Sequence, residues 1–250
     1  MSSTTQFGSR RNAVSPTYPE ASVQNLTGPW WETSVGGNLT RGRLVRAIVP
    51  YPDMKPYRLV PEGRGEDSRQ HTQANYRIEE FRTGEPTPGV SPLPVAGLPL
   101  RSGETYLVRR GKTRPAVVVA LPGSHIAEHL RRTGASWQHR PTALLAPFYG
   151  IEADGTRGGW NPEFVGRIQR AEYSQYVWDL LPVGGSESGS ILRLDHLFPI
   201  GFDPSNWTPT EYRLRDDALR FLDEWVSWHV TGKLTVDGLL AFTRAELSKI

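Results

Sequence analysis

Two places in this sequence hold residue types at spacings that could do chemistry. The first is H-I-A-E-H, His125–His129. In a helix, residues four apart share one face, so both imidazoles could hold a zinc ion, with Glu128 as the neighbouring base. The stretch falls between two predicted strands, and Arg131 and Arg132 beside it would repel a dication. A short surface helix capped by Ser124 accounts for the motif without a metal, so no metal and no other cofactor is expected. The second place is Arg114 in G-K-T-R-P-A-V-V-V-A. An arginine just before a buried strand is held at the strand's mouth. It is always charged, and its planar fork fits phosphate oxygens. Tyr149 ends a later strand and brings a hydroxyl toward the same rim. From these residues alone, an ordinary turn arginine fits Arg114 equally well.

The elements that must position these groups are mostly strands. Arg43–Tyr51 (RLVRAIVPY) is apolar and β-branched, and prolines end it. Glu104–Arg109 and Pro115–Leu121 read as two strands joined by R-G-K-T-R, with Gly111 in the turn. The second is continuously apolar, as in a central strand buried on both faces. Thr142–Tyr149, Tyr176–Leu181 and Ile191–Phe198 complete six strands. Short antiparallel strands of this kind close into a small barrel or sandwich.

The rest of the chain reads less regularly. Residues 1–40 are polar and lack a sustained period, so a flexible arm is expected, packing locally through Trp30 and Trp31. Asp53–Leu100 is proline-rich and reads as an insertion of about 53–100, with one short ordered piece at Tyr76–Phe81. Residues 202–250 predict helices packed on the strands. Thr208, Pro209 and Glu211 match the start of the first helix. Leu214, Ala218, Phe221, Leu222, Trp225 and Trp228 recur at helical spacing as a core face, and Gly232 stops the helix. A second helix is expected over Val236–Leu247.

Composition narrows the partners. The 250 residues carry a net charge of +3 and include no cysteine. Disulfides and cysteine metal sites are excluded, and a reducing, cytoplasmic setting is the simplest expectation. No run of 18 apolar residues occurs, so no membrane-spanning helix is expected. Charge is uneven. Arg101–Arg140 holds eight Lys or Arg against two Glu, whereas Gly201–Ile250 holds six against eight acids. A local basic patch suits RNA. Arg109, Arg110, Lys112 and Arg140 are the candidate phosphate contacts, with Trp137 as a stacking surface.

R-G-K-T-R-P-A-V-V-V-A resembles the G-x-R-P-A-V-V-x-S segment of the MazF/PemK toxins, which are ribonucleases with an SH3-like barrel. Gly42–Pro52 is similar to that family's first strand. Leu144–Tyr149 resembles its strand carrying P-x-T, and Ser190–Ile200 its S-V-x-x-x-D-Q segment. The blocks cover about 110 residues. The resemblance implies a small SH3-like antiparallel barrel over 41–201 with a long inter-strand insertion. It also implies metal-independent cleavage of single-stranded RNA, a homodimer and an antitoxin partner. Arg114 matches the family's catalytic arginine, and the catalytic threonine falls on Tyr149. A phenol ordinarily titrates near pH 10, so it is a poor base at neutral pH. Glu172 and His196 are candidate bases by residue type alone. The alternative is a barrel that binds nucleic acid or protein without cutting, in which Tyr149 marks the lost threonine.

Overall fold

The computed structural model describes residues 17–67, 69–70, 73–84, 103–123, 126–131, 139–153, 158–183 and 189–250. Its elements in order are α1 (Val23–Thr27), β1 (Trp31–Thr33), β2 (Arg43–Pro50), β3 (Tyr57–Arg64), β4 (Ala74–Glu80), β5 (Tyr106–Val108), β6 (Gly111–Ala120), α2 (Glu128–Arg131) and β7 (Thr142–Gly150). There follow α3 (Pro162–Gln169), β8 (Tyr176–Leu180), β9 (Gly189–Arg193), a 3₁₀ turn at Leu194–His196, β10 (Phe198–Gly201), β11 (Trp207–Leu214), α4 (Asp216–Thr231) and α5 (Leu239–Leu247). The described chain is therefore mostly β, with antiparallel pairing and helices at the C-terminal end. It divides into two compact units, one made by residues up to Ala47 with Arg114–Ile250, the other by Ile48–Thr113.

The larger unit is built on one sheet in the order β1-β11-β2-β6-β7-β9-β8, with β10 also paired to β7. The valine run of β6 explains why the sheet has two covered faces. Alternate side chains point to opposite faces. Val117 and Val119 enter a core with Leu44, Ala146 and Phe148. Ala116 and Val118 enter a second core with Val45, Ala47, Ala143 and Leu145. All four β6 residues are buried, as the continuous apolar run predicts. The first core is roofed by Ala218, Phe221, Leu222 and Trp225 of α4 and by Leu240 and Leu247 of α5. The helical aromatic stripe is core, and Gly232 ends α4 in the left-handed conformation at φ 70°. A third cluster joins Val165 and Ile168 of α3 to Trp178 and Ile191.

The two edge strands of this sheet, β1 and β8, are bridged by side chains: Trp31 Nε1 donates to Asp179 Oδ2 at 2.7 Å. Arg43, also buried, clamps the β1 side by donating to the carbonyls of Ser34 and Thr210, both at 3.1 Å.

Several expectations are corrected. Of the arm expected over residues 1–40, residues 1–16 lie outside the described residues, and 17–40 are folded in: Ser22 caps α1, Val23 and Trp30 are buried, and β1 pairs with β11. Thr208 and Pro209 do not start a helix. They lie in β11, which pairs with β2, and Thr210 Oγ1 donates to Leu44 O at 2.7 Å. Cross-strand pairing outweighed the local capping pattern, and α4 starts after Arg215. The second helix begins at Leu239 rather than Val236, because Glu224 of α4 accepts the amides of Leu239 and Leu240 at 3.0 and 2.9 Å. Helix α3 was not expected, although Asn161 caps it and Pro162 opens it.

The smaller unit carries a three-stranded sheet in the order β4-β3-β5. Asp53–Leu100 thus holds two strands, where only Tyr76–Phe81 was expected to be ordered; residues 85–100 lie outside the described residues. Arg58 pairs with Glu79 at 2.8 Å, and Arg77 bridges Glu79 and Glu62 at 2.6 and 2.9 Å. The R-G-K-T-R segment is not a hairpin turn. Gly111 opens β6, and β5 pairs with β3 instead.

Candidate active site

Strand β7 pairs with β6 through Ala116–Pro147 and Val117–Ala146. Continuing that register by two residues puts Arg114 opposite Tyr149. The side chains meet as the register requires: the Arg114 guanidinium carbon stands 4.2 Å from the centre of the Tyr149 ring. Arg114 and Tyr149 are both half-buried. A cation over an aromatic face is held by the ring's quadrupole, so each side chain fixes the other.

The other flank comes from a break in the strand on the far side of β7. Phe148 pairs with Leu192 in β9, and Leu145 with Phe198 in β10. Three residue steps along β7 therefore match six along its partner. The 3₁₀ turn at Leu194–His196 absorbs the excess. Leu194 is buried and its amide donates to Gln175 O at 2.9 Å, which pins the turn inward. Asp195 faces outward and takes a two-pronged ion pair from Arg193, with Nε to Oδ1 at 2.7 Å and Nη2 to Oδ2 at 2.6 Å. Burial opposes ionisation of Asp195, but the Arg193 guanidinium outweighs it and holds the carboxyl below its ordinary range.

His196 then reaches Tyr149. Its Nδ1 lies 2.8 Å from the Tyr149 hydroxyl, and its Nε2 lies 2.6 Å from Arg193 Nη2. Arg193 also stands over the rings of Tyr149 and Tyr176, at 5.8 and 5.2 Å. The site therefore gathers two guanidiniums and an imidazole around one phenol. Such a set can bind a phosphodiester by charge and hydrogen bonds, and it contains groups able to move a proton.

Of the residues singled out from the sequence, Arg114 and Tyr149 come together, and His196 joins them. Glu172 does not. It is taken up by Arg167 and Arg170 at the end of α3, at 2.6 and 3.0 Å. Those hydrogen bonds, led by Arg167, overcome desolvation and hold its carboxyl below the usual range. Arg140 is exposed just before β7. Arg109, Arg110 and Lys112 are exposed in the smaller unit. Trp137 and His125 lie outside the described residues, and His129 is exposed on the four-residue α2. Among the described residues, no group of three or more His, Cys, Asp or Glu is placed to hold a metal. A separate apolar groove of about 610 Å³, lined by Leu39, Phe202, Trp207 and Pro209, shares no lining residue with the Arg114 site.

Sequence reasoning missed Arg193 and Asp195. The signal present was R-L-D-H, three chemistry-bearing side chains around a single leucine that turns inward. No protein-family model matches the chain, and no curated protein matches it in sequence.

Proposed function

We propose that this chain is an endoribonuclease that cleaves single-stranded RNA without a metal, similar in chemistry to the MazF/PemK toxins. The observation that carries the reading is the meeting of Arg114 with Tyr149, the two positions at which the family's motifs place catalytic residues. In this reading the 2′-hydroxyl of the RNA attacks the adjacent phosphate and leaves a cyclic phosphate. Arg114 stabilises charge on the phosphoryl oxygens, the kind of term that is usually largest in such reactions. Tyr149 donates a hydrogen bond to the same phosphate. The mostly antiparallel sheet, with Trp31 and Asp179 bridging its edge strands, is compatible with the family's small SH3-like barrel. No described helix is long and apolar enough to cross a membrane. A cytoplasmic setting, a homodimer and a cognate antitoxin complete the proposal.

Purified protein incubated with mixed RNA in EDTA should cleave it, and Arg114→Ala should not. A second reading is favoured by Tyr149 standing where the family has threonine: a barrel that binds nucleic acid or a protein without cutting it. That reading holds if the parent protein retains RNA but leaves it intact. A monomer at micromolar concentration in sedimentation would remove the homodimer from the proposal.

A further inference from the structure

We infer that a row of arginines and tyrosines running from the Arg114–Tyr149 site to α3 is a base-stacking subsite, which holds the nucleotides next to the scissile phosphate of a single-stranded RNA. The inference rests on the ribonuclease reading above and names how that substrate is held beyond the reacting phosphate. It begins from strand register. Tyr149 stands opposite Ile191 in β9, and Arg193, two residues on from Ile191, stands opposite Tyr176 in β8. Residues directly opposite share a face of the sheet, as do residues two apart along a strand. Tyr149, Arg193 and Tyr176 therefore lie on one face, and Arg114 joins them there from β6, 4.2 Å from the centre of the Tyr149 ring.

The side chains make the row continuous. The Arg193 guanidinium stands over Tyr149 at 5.8 Å and over Tyr176 at 5.2 Å from the ring centres. Tyr176 meets Tyr173, which lies between α3 and β8, edge to face at 6.2 Å. Arg167 of α3 closes the row over Tyr173 at 5.0 Å. Arg167 is exposed and the other five are half-buried, so the whole row reaches the surface. Two of its guanidiniums already face carboxylates. Asp195 takes the edge of the Arg193 fork, and Glu172 accepts from Arg167 Nε. A guanidinium so paired adds little attraction for a phosphate. It does hold the ring beneath it in place, and fixed phenol rings are flat surfaces on which bases stack whatever their sequence. The row starts at the groups that meet the phosphate. A strand that seats its phosphate there carries its neighbouring bases along the row.

The probe is a hexauridylate methylated at every 2′-oxygen, which cannot be cut by its own 2′-hydroxyls, beside the same backbone without its bases. The parent should bind the base-bearing strand the more tightly. Tyr173→Leu and Tyr176→Leu should each lose roughly 5- to 150-fold of that affinity, the usual worth of one stacked base, and Tyr173→Phe and Tyr176→Phe should keep it. The loss should be the same at about 50 and 200 mM salt, because stacking releases no counterions. On the parent itself, where no variant has to fold, the same strand carrying 5-iodouridine should cross-link under light to Tyr173 or Tyr176, as read by mass spectrometry. Leucine variants that fold and bind as the parent does, no preference for the strand with bases, or cross-links confined to other residues would each overturn the subsite. Cleavage of mixed RNA in EDTA alongside such a result would leave the ribonuclease reading standing. The expected binding and cross-links without cleavage in EDTA would overturn the ribonuclease reading and leave the row as a surface that holds single strands.

Discussion

Trp31 Nε1 donates a 2.7 Å hydrogen bond to Asp179 Oδ2, so the two edge strands of the seven-strand path are tied by one indole and one carboxyl. The other carboxyl oxygen of Asp179 accepts the Leu180 amide at 2.8 Å. Asp179 is 1% exposed. Burial pushes its carboxyl up from 3.8 to about 7, against the opposing pull of those two hydrogen bonds. Burial, with Asp179 as a further cause, also pushes the Tyr18 phenol up.

The burial of this carboxyl makes stability depend on pH. A group whose native pKa is raised binds more protons in the folded state than in the unfolded one. Its contribution is full below about pH 4 and is lost as pH rises through about 7. The parent's unfolding free energy, measured in urea at intervals between pH 4 and 8 and compared with Asp179→Asn, should show that loss. The variant should lack this component across the same window. Parallel curves for the two proteins would contradict it. Trp31→Phe should destabilise most above pH 7, by about 1.5–3 kcal/mol, the usual worth of a hydrogen bond to a charged group.

The valine run of β6 supplies a second expectation. Val118 is fully buried in the core that also holds Val45, Ala143 and Leu145. Val118→Asp places a charge there with no partner, at a cost of several kcal/mol. That is comparable with the whole stability of a domain, about 5–15 kcal/mol. The variant should show no cooperative thermal transition by circular dichroism. A sharp transition near the parent's would contradict the sheet placement.

A third concerns the C-terminal helices. Both carboxyl oxygens of Glu224 accept amides at the start of α5, from Leu239 and Leu240. A negative charge at a helix N-terminus also meets the positive end of the helix dipole. Glu224→Ala removes both acceptors and should cost about 1–2 kcal/mol in urea unfolding. Glu224→Gln keeps one acceptor and should cost less. No change for either variant would mean that water replaces the cap fully.

Most of what the sequence made legible was periodic. The β6 valines alternate between two cores, and the α4 aromatics repeat at helical spacing, so burial followed from pattern alone. Arg114 and Tyr149 were legible because each flanks an apolar run, although Arg114 lies inside β6 rather than at its mouth, and a shared register brought them together. What escaped was decided by tertiary contacts. Thr208-Pro209-x-Glu211 has local capping chemistry, but β2 and β1 offered backbone partners and the segment became a strand. Residues 17–40 look polar and irregular, yet Val23 and Trp30 found the core. The turn carrying His196 depends on three extra residues between β9 and β10, a feature of pairing that composition does not reveal.

The last prediction separates holding RNA from cutting it. Arg109, Arg110, Lys112 and Arg140 are exposed. If they neutralise phosphates, each releases counterions, and the affinity for single strands falls with salt by a logarithmic slope of about 0.7 per phosphate. Replacing all four by glutamine should therefore weaken binding and flatten the slope between about 50 and 200 mM salt. Arg114→Ala should leave most of the affinity, because these residues remain. It should nevertheless remove cleavage, the mark of a residue that acts mainly on the transition state. Fluorescence anisotropy with a labelled single strand measures the first effect, and gel analysis of the same RNA in EDTA the second. A slope unchanged by the fourfold substitution would show that the patch is an ordinary solvated surface. An Arg114→Ala variant that loses affinity and cleavage in equal proportion would make Arg114 a binding residue, without a distinct part in the chemical step.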